Sequence, residues 1–273
     1  MATGRAAPKL ARTSNAKPKR KAQPKATAKP PGKPKPAAKP RPKANAREQL
    51  ARLAQALPEP RCELDHANAW QLLIATILSA QSTDARVNMV TPELFRRYPA
   101  PAALGAAELP EVERLIHSTG FFRNKAKAIV ATSRAIAERH GGEVPRSLEA
   151  LVELQGVARK TANVVLGTAY RLATGIVVDT HAGRVARRLG ITREDDPAKV
   201  ERDLCAIVPE AEWVDTGHRL VLHGRYVCRA QQPDCGCCPV QELCPSAEHV
   251  ALGNVAERGE RERARIAAAR PAI

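Results

Sequence analysis

From Arg47 onward, apolar residues recur with a helical period. Leu50, Leu53, Ala54 and Leu57 fall at i, i+3, i+4 and i+7, and Pro58 stops the run. Trp70, Leu73, Ile74, Ile77 and Leu78 repeat that spacing in a second helix. Further helical patterns cover about residues 84–97, 109–118, 123–140, 147–154, 158–172, 181–189, 197–208 and 215–225. Pro110, Gly141-Gly142, Pro145, Gly156, Gly190 and Pro209 mark breaks between them. The β-branched run Ile176-Val177-Val178 is too short and solitary for a sheet. The pattern predicts an all-α body of about ten short helices. Residues 1–46 show no apolar periodicity, only Lys-Pro and Ala-Lys-Pro units, and are expected to be disordered.

Charge divides the chain at the same place. The 273 residues carry 44 Lys+Arg against 28 Asp+Glu, and 14 of the basic groups, with no acidic one, lie in residues 1–46. What remains is nearly balanced, at 30 against 28. A basic tail on a neutral body is not a basic coat protein. Such a tail is either solubilising or an arm that releases counterions from nucleic-acid phosphate on contact, and the second reading is favoured. The body has basic faces of its own: residues 114–137 carry five basic groups and no acid, and residues 156–190 carry six against Asp179 alone.

The longest uncharged stretch, Ala67 to Thr83, is broken by Asn68, Gln71, Thr76, Ser79 and Gln81, which excludes a membrane span there. No apolar stretch follows the N-terminal charges, and nine prolines in residues 1–46 would break a transit-peptide helix. The chain is expected to be intracellular. In a reducing compartment its seven cysteines are metal ligands or free thiols rather than disulfides.

Five of the seven cysteines fall between Cys228 and Cys244. Cys228, Cys235, Cys238 and Cys244 are spaced C-x6-C-x2-C-x5-C. Thiolates on so short a loop converge on one centre, either tetrahedral zinc or an iron–sulfur cluster. One compact loop, rather than two separated knuckles, favours the cluster. Cys237 adjoins Cys238 and is left outside the site; Cys62 and Cys205 read as buried thiols.

A second constellation lies in the basic region. Gly156 permits a tight turn between two helical patterns, and a helix start there exposes unpaired N–H groups suited to a DNA phosphate. Lys160 falls in the first helical turn, where the positive end of the dipole disfavours an ammonium and suits an amine nucleophile. A surface lysine contacting phosphate is the plainer alternative. Asp179 precedes the next helical pattern and reads both as its N-cap and as a carboxylate able to stabilise positive charge or move protons.

Together these residues resemble the endonuclease III family of helix-hairpin-helix DNA glycosylases, from about Arg47 to Ser246. Leu78–Asp84 is similar to the family's Gln-bearing helix end, Gly120–Ala126 to its DNA-wedging loop, and Gly156–Asn163 to its hairpin. Val178–His181 is similar to the aspartate segment, and Leu222–Tyr226 to the lead into a [4Fe–4S] loop. The hairpin departs from the family's Leu-Pro-Gly-Val-Gly at Gln155 and Ala158.

The resemblance implies Lys160 as nucleophile and Asp179 as its partner, with Cys228, Cys235, Cys238 and Cys244 holding a [4Fe–4S] cluster. DNA contacts are assigned to Gln81, Phe121, Gly156, Ala158, His181 and Arg184. It further implies a six-helix barrel over 62–173, a cluster domain over 47–61 and 174–247, and a charged extension over 248–273. The expected protein is a bifunctional DNA glycosylase/AP lyase, a monomer of the bacterial cytoplasm associated with the nucleoid. Its substrate is double-stranded DNA bearing oxidised pyrimidines or abasic sites, with no membrane partner. The rivals are a monofunctional adenine mismatch glycosylase and a non-catalytic iron–sulfur DNA-binding protein.

Overall fold

The computed structural model describes Met1, residues 45–248 and residues 251–269. The basic tail predicted over residues 1–46 falls almost wholly outside them. All regular structure among the described residues is helical, and Ile176-Val177-Val178 forms no strand.

Twelve helices follow in chain order: α1 (Ala46–Ala56), α2 (Ala69–Ser79), α3 (Asp84–Arg97), α4 (Pro101–Gly105), α5 (Leu109–Ile116), α6 (Phe122–Arg139), α7 (Leu148–Val152), α8 (Arg159–Tyr170), α9 (Thr180–Arg188), α10 (Pro197–Cys205), α11 (Trp213–Tyr226) and α12 (Val255–Ala269). Ten match the periodic segments of the sequence. Their starts follow local chemistry: Asn68, Thr83, Ser147, Asp179 and Asp196 each accept a backbone N–H as N-cap. Two helices were not anticipated. α4 is a five-residue turn with Pro101 near its start, pinned by buried Leu104 and by Arg134 Nε donating to the Gly105 carbonyl at 2.9 Å. α12 lies in the segment read only as a charged extension.

Burial gathers into two main hydrophobic clusters among the described residues. The first draws on residues 64–166 and is centred on α2, where Leu72, Leu73, Ile74, Ala75 and Leu78 are fully buried. A helix buried on nearly all sides explains why this stretch carries no charge. Trp70 packs against Phe95 and satisfies its indole N–H on Ser133 Oγ at 3.1 Å. The second cluster joins Ala46 and Leu53 of α1 to residues between Ile176 and Val240. No helix among the described residues is long and apolar enough to cross a membrane.

Candidate active site and cysteine loop

The chain between α7 and α8 turns tightly at Gly156, where φ is +80°. A Cβ there would come within 2.9 Å of Ala128 Cβ, so both conformation and room select glycine. Thr132 Oγ1 donates to the Gln155 carbonyl at 2.7 Å and ties the turn to α6. Ala158 is the extended N-cap of α8 (φ −87°, ψ 165°) and offers no side-chain acceptor. The first N–H groups of α8 therefore have no side-chain cap, the arrangement that receives an anion. Lys160 is the second residue of α8 and is exposed.

Asp179 is the N-cap of α9, with Oδ1 accepting the N–H groups of His181 and Ala182, each at 2.8 Å. The cap holds the half-buried carboxylate in one orientation while Oδ2 has no hydrogen bond among the described residues. Lys160 and Asp179 line the same cavity of about 280 Å³, together with Gln81, Asn163, Thr168 and His218. Gln81 sits just beyond α2 with φ at +55°, a left-handed conformation that costs a non-glycine residue about 1 kcal/mol or more.

Phe121 is strained in the same way, at φ +48°, and it is 64% exposed. Its neighbour Phe122 packs against the first hydrophobic cluster and against the His117 ring, with centroids 4.4 Å apart. One phenyl thus anchors the loop and the other projects from it. Lys125 is buried, and its Nζ donates to the Thr119 carbonyl at 2.8 Å, holding the turn before Gly120. Burial lowers the Lys125 pKa. Phe121 does not line the Lys160 cavity.

His181 and Arg184 are likewise outside that cavity. His181 is half-buried and lines an adjoining open groove of about 1280 Å³ with Arg61, His66, Ser82, Met89 and Arg171. Burial lowers the His181 pKa, and Arg225 and Arg184 act in the same direction against Asp179. Arg184 turns inward: it donates to the carbonyls of Gly224 at 2.7 Å and Cys228 at 3.1 Å. Its guanidinium joins α9 to α11 and to the first cysteine.

Residues not singled out from sequence complete the surroundings. Arg225 donates to Glu63 and, at 2.5 Å, to Asp84, bridging segments 141 residues or more apart in the chain. Burial would lower the Arg225 pKa, but the two carboxylates raise it, so this charge is firmly held between the cavity and the groove. His218 Nε2 lies 3.1 Å from Thr168 Oγ1, and burial lowers its pKa. Arg225 and Asp84 stand inside the family-like segments, but nothing local pairs them with Glu63 or brings His218 into the lining of the Lys160 cavity.

Cys228, Cys235, Cys238 and Cys244 line one small cavity, and Cys237 does not. Short 3₁₀ turns at Cys235–Cys237 and Gln241–Leu243 space the last three. Burial, reinforced by the other three thiols, pushes the Cys244 thiol up to about 11, against a lowering bond from the Ser246 backbone. Arg188 Nη1 lies 3.4 Å from Cys228 Sγ, and His223 Nε2 lies 3.6 Å from Cys238 Sγ. Among the described residues no group of three or more His, Cys, Asp or Glu is arranged to hold a single metal ion. Thiols are the donor type of zinc and iron–sulfur centres, and these four share one cavity beside Arg188 and His223.

A family model described as "HhH-GPD superfamily base excision DNA repair protein" matches residues 74–210. The chain is 51% identical over 203 residues to the endonuclease III of Synechocystis sp., spanning 74% of this chain and 93% of that one. Against the endonuclease III of Escherichia coli K12 the identity is 43% over 205 residues, spanning 75% and 97%. A solved structure of a trapped endonuclease III–DNA covalent intermediate superposes with a TM-score of 0.71 at 44% identity, covering 76% of this chain and 97% of that one. A thermostable thymine-DNA glycosylase shares the fold at 20% identity, with a TM-score of 0.66 over 75% of this chain and 98% of that one.

Proposed function

Because this chain belongs to the endonuclease III family, and is therefore a base-excision-repair DNA glycosylase and AP lyase, we propose that Lys160 is its nucleophile and oxidised pyrimidines in duplex DNA its substrates. The observation that carries this reading is the shared cavity of Lys160 and Asp179. Its volume, about 280 Å³, suits one extruded base.

The damaged nucleotide leaves the stack at a cost of a few kcal/mol, less for a poorly paired lesion. Lys160 Nζ attacks C1′, the C1′–N bond breaks, and the base leaves with a proton. The imine so formed acidifies the C2′ proton; its removal expels the 3′ phosphate by β-elimination, and water then releases Lys160. Asp179, held by its cap, faces the positive charge that develops on the sugar and accepts or returns protons. The uncapped start of α8 seats a phosphate beside the lesion. Phe121 enters the opened base step and Gln81 bonds the orphaned base, insertion offsetting part of the unstacking cost.

Cys228, Cys235, Cys238 and Cys244 would hold a [4Fe–4S] cluster, which when bound supplies a cross-link that orders residues 228–244. Arg184 and Arg188 tie that loop to α9 by bonding the Cys228, Arg229 and Ala230 carbonyls.

Borohydride trapping on abasic duplex tests the proposal. Wild-type protein gives a covalent complex; Lys160→Gln gives none but still binds DNA. Undiminished trapping by the variant would remove Lys160 from the mechanism. Wild-type binding without strand cleavage would identify a non-catalytic DNA-binding protein, and adenine excision without trapping a monofunctional mismatch enzyme.

A further inference from the structure

α12 carries charge into the interior. Arg258 is 0% exposed and Glu262 2%, a burial that persists only where ions are paired. Their partners lie in or beside the cysteine loop. Arg258 pairs with Glu242, in the turn between Cys238 and Cys244. Arg265 pairs at 2.5 Å with Asp234, whose Oδ1 accepts the Cys237 N–H at 3.2 Å and so caps the Cys235–Cys237 turn. Glu262 Oε1 bonds His223 Nδ1 at 2.7 Å, and the opposite ring nitrogen faces Cys238 Sγ. Just before the helix, Leu252 N–H donates to the Gly236 carbonyl at 2.8 Å. The other side of α12 rests on α1: a Cβ at Gly259 would lie 3.2 Å from both Ala56 Cα and Ala56 Cβ.

We propose that α12 is a clamp on the cysteine loop, in which Arg258, Glu262 and Arg265 are positioning residues that keep Cys235, Cys238 and Cys244 turned toward their shared cavity. The inference rests on the reading of that loop as a cluster site. A bound cluster is lost through openings of the loop that holds it, and three separate ties from one helix keep those openings rare. Arg258 Nε and Glu262 Oε2 are buried without a hydrogen-bond partner among the described residues. These two ions therefore depend wholly on the bonds they do make.

The test uses full-length protein as purified, Arg265→Ala, Arg265→Lys, a chain ending at Ser246, and the exposed-face control Glu260→Gln. Iron release to a ferrous chelator, decay of the visible cluster absorption and amide exchange over residues 228–244 are measured. Loss of a partly exposed ion pair, ~1 kcal/mol, accelerates release about fivefold in Arg265→Ala. The truncated chain accelerates it about tenfold or more, whereas Arg265→Lys restores and Glu260→Gln preserves the wild-type rate. Exchange quickens in residues 228–244 and stays unchanged in α2. Wild-type release from both Arg265→Ala and the truncated chain would overturn the clamp, as would exchange that quickens equally in α2. A wild type without iron would instead sink the cluster reading. Amide exchange needs no iron and would then decide the clamp alone.

Discussion

Replacing Phe121 by alanine separates a DNA wedge from a packing residue. The side chain is 64% exposed, and at φ +48° the left-handed backbone strains alanine about as much as phenylalanine, since both carry a Cβ. Little apolar burial is lost, so stability should change by less than about 0.5 kcal/mol. In a chain of this size that moves Tm by no more than about 2 °C. A base stacked on an aromatic ring is worth about 1–3 kcal/mol, and at 1.36 kcal/mol per decade its loss slows excision about 5- to 150-fold. The assay is single-turnover release of an oxidised pyrimidine from duplex DNA, run beside β-elimination at an abasic site in single-stranded DNA. Only the first reaction needs the opened step filled. Phe122→Ala is the contrast, because that ring packs on the first cluster and on His117; it should lower Tm by several degrees. Equal slowing of both reactions by Phe121→Ala, or a fall in Tm matching that of Phe122→Ala, would refute the wedge.

Asparagine caps a helix as well as aspartate does, so Asp179→Asn should keep its melting temperature yet lose about 10²-fold or more in single-turnover rate; a variant that loses only stability would make Asp179 purely structural. Serine at Cys228, Cys235, Cys238 or Cys244 should abolish iron and sulfide in the purified protein, whereas Cys237→Ser should retain both. Stoichiometric zinc in a colourless, active wild type would replace the cluster with a single ion. Deleting residues 1–46 removes 14 positive charges. Every DNA phosphate that the tail neutralises adds about 0.9 to the log–log salt slope of duplex binding, so the deletion should flatten that slope. An unchanged slope would show that the tail does not touch DNA.

Most helices were legible because each hides an apolar stripe whose period survives in the sequence, as in Leu50, Leu53 and Leu57 or in Trp70, Leu73 and Ile77. α4 escaped because a five-residue helix with one anchoring leucine has no period to detect. α12 escaped for a different reason. Its buried positions are Arg258, Gly259, Glu262 and Ile266, so a stripe that faces the interior reads in sequence as a solvated one. Only partners far along the chain, Glu242 and His223, make those charges interior.

At the site the same division holds. Lys160, Asp179 and the cysteine spacing are local signals, since the chemistry demands particular residue types at short separations. The left-handed backbone at Gln81 and Phe121, the inward turn of Arg184 and the Arg225 bridge to Glu63 and Asp84 have no local signal. Arg184 and Arg225 take their places from partners 40 residues or more away along the chain: hydrophobic periodicity decides which residues are helical, but pairing across the folded chain decides where a charge is tolerated in the interior.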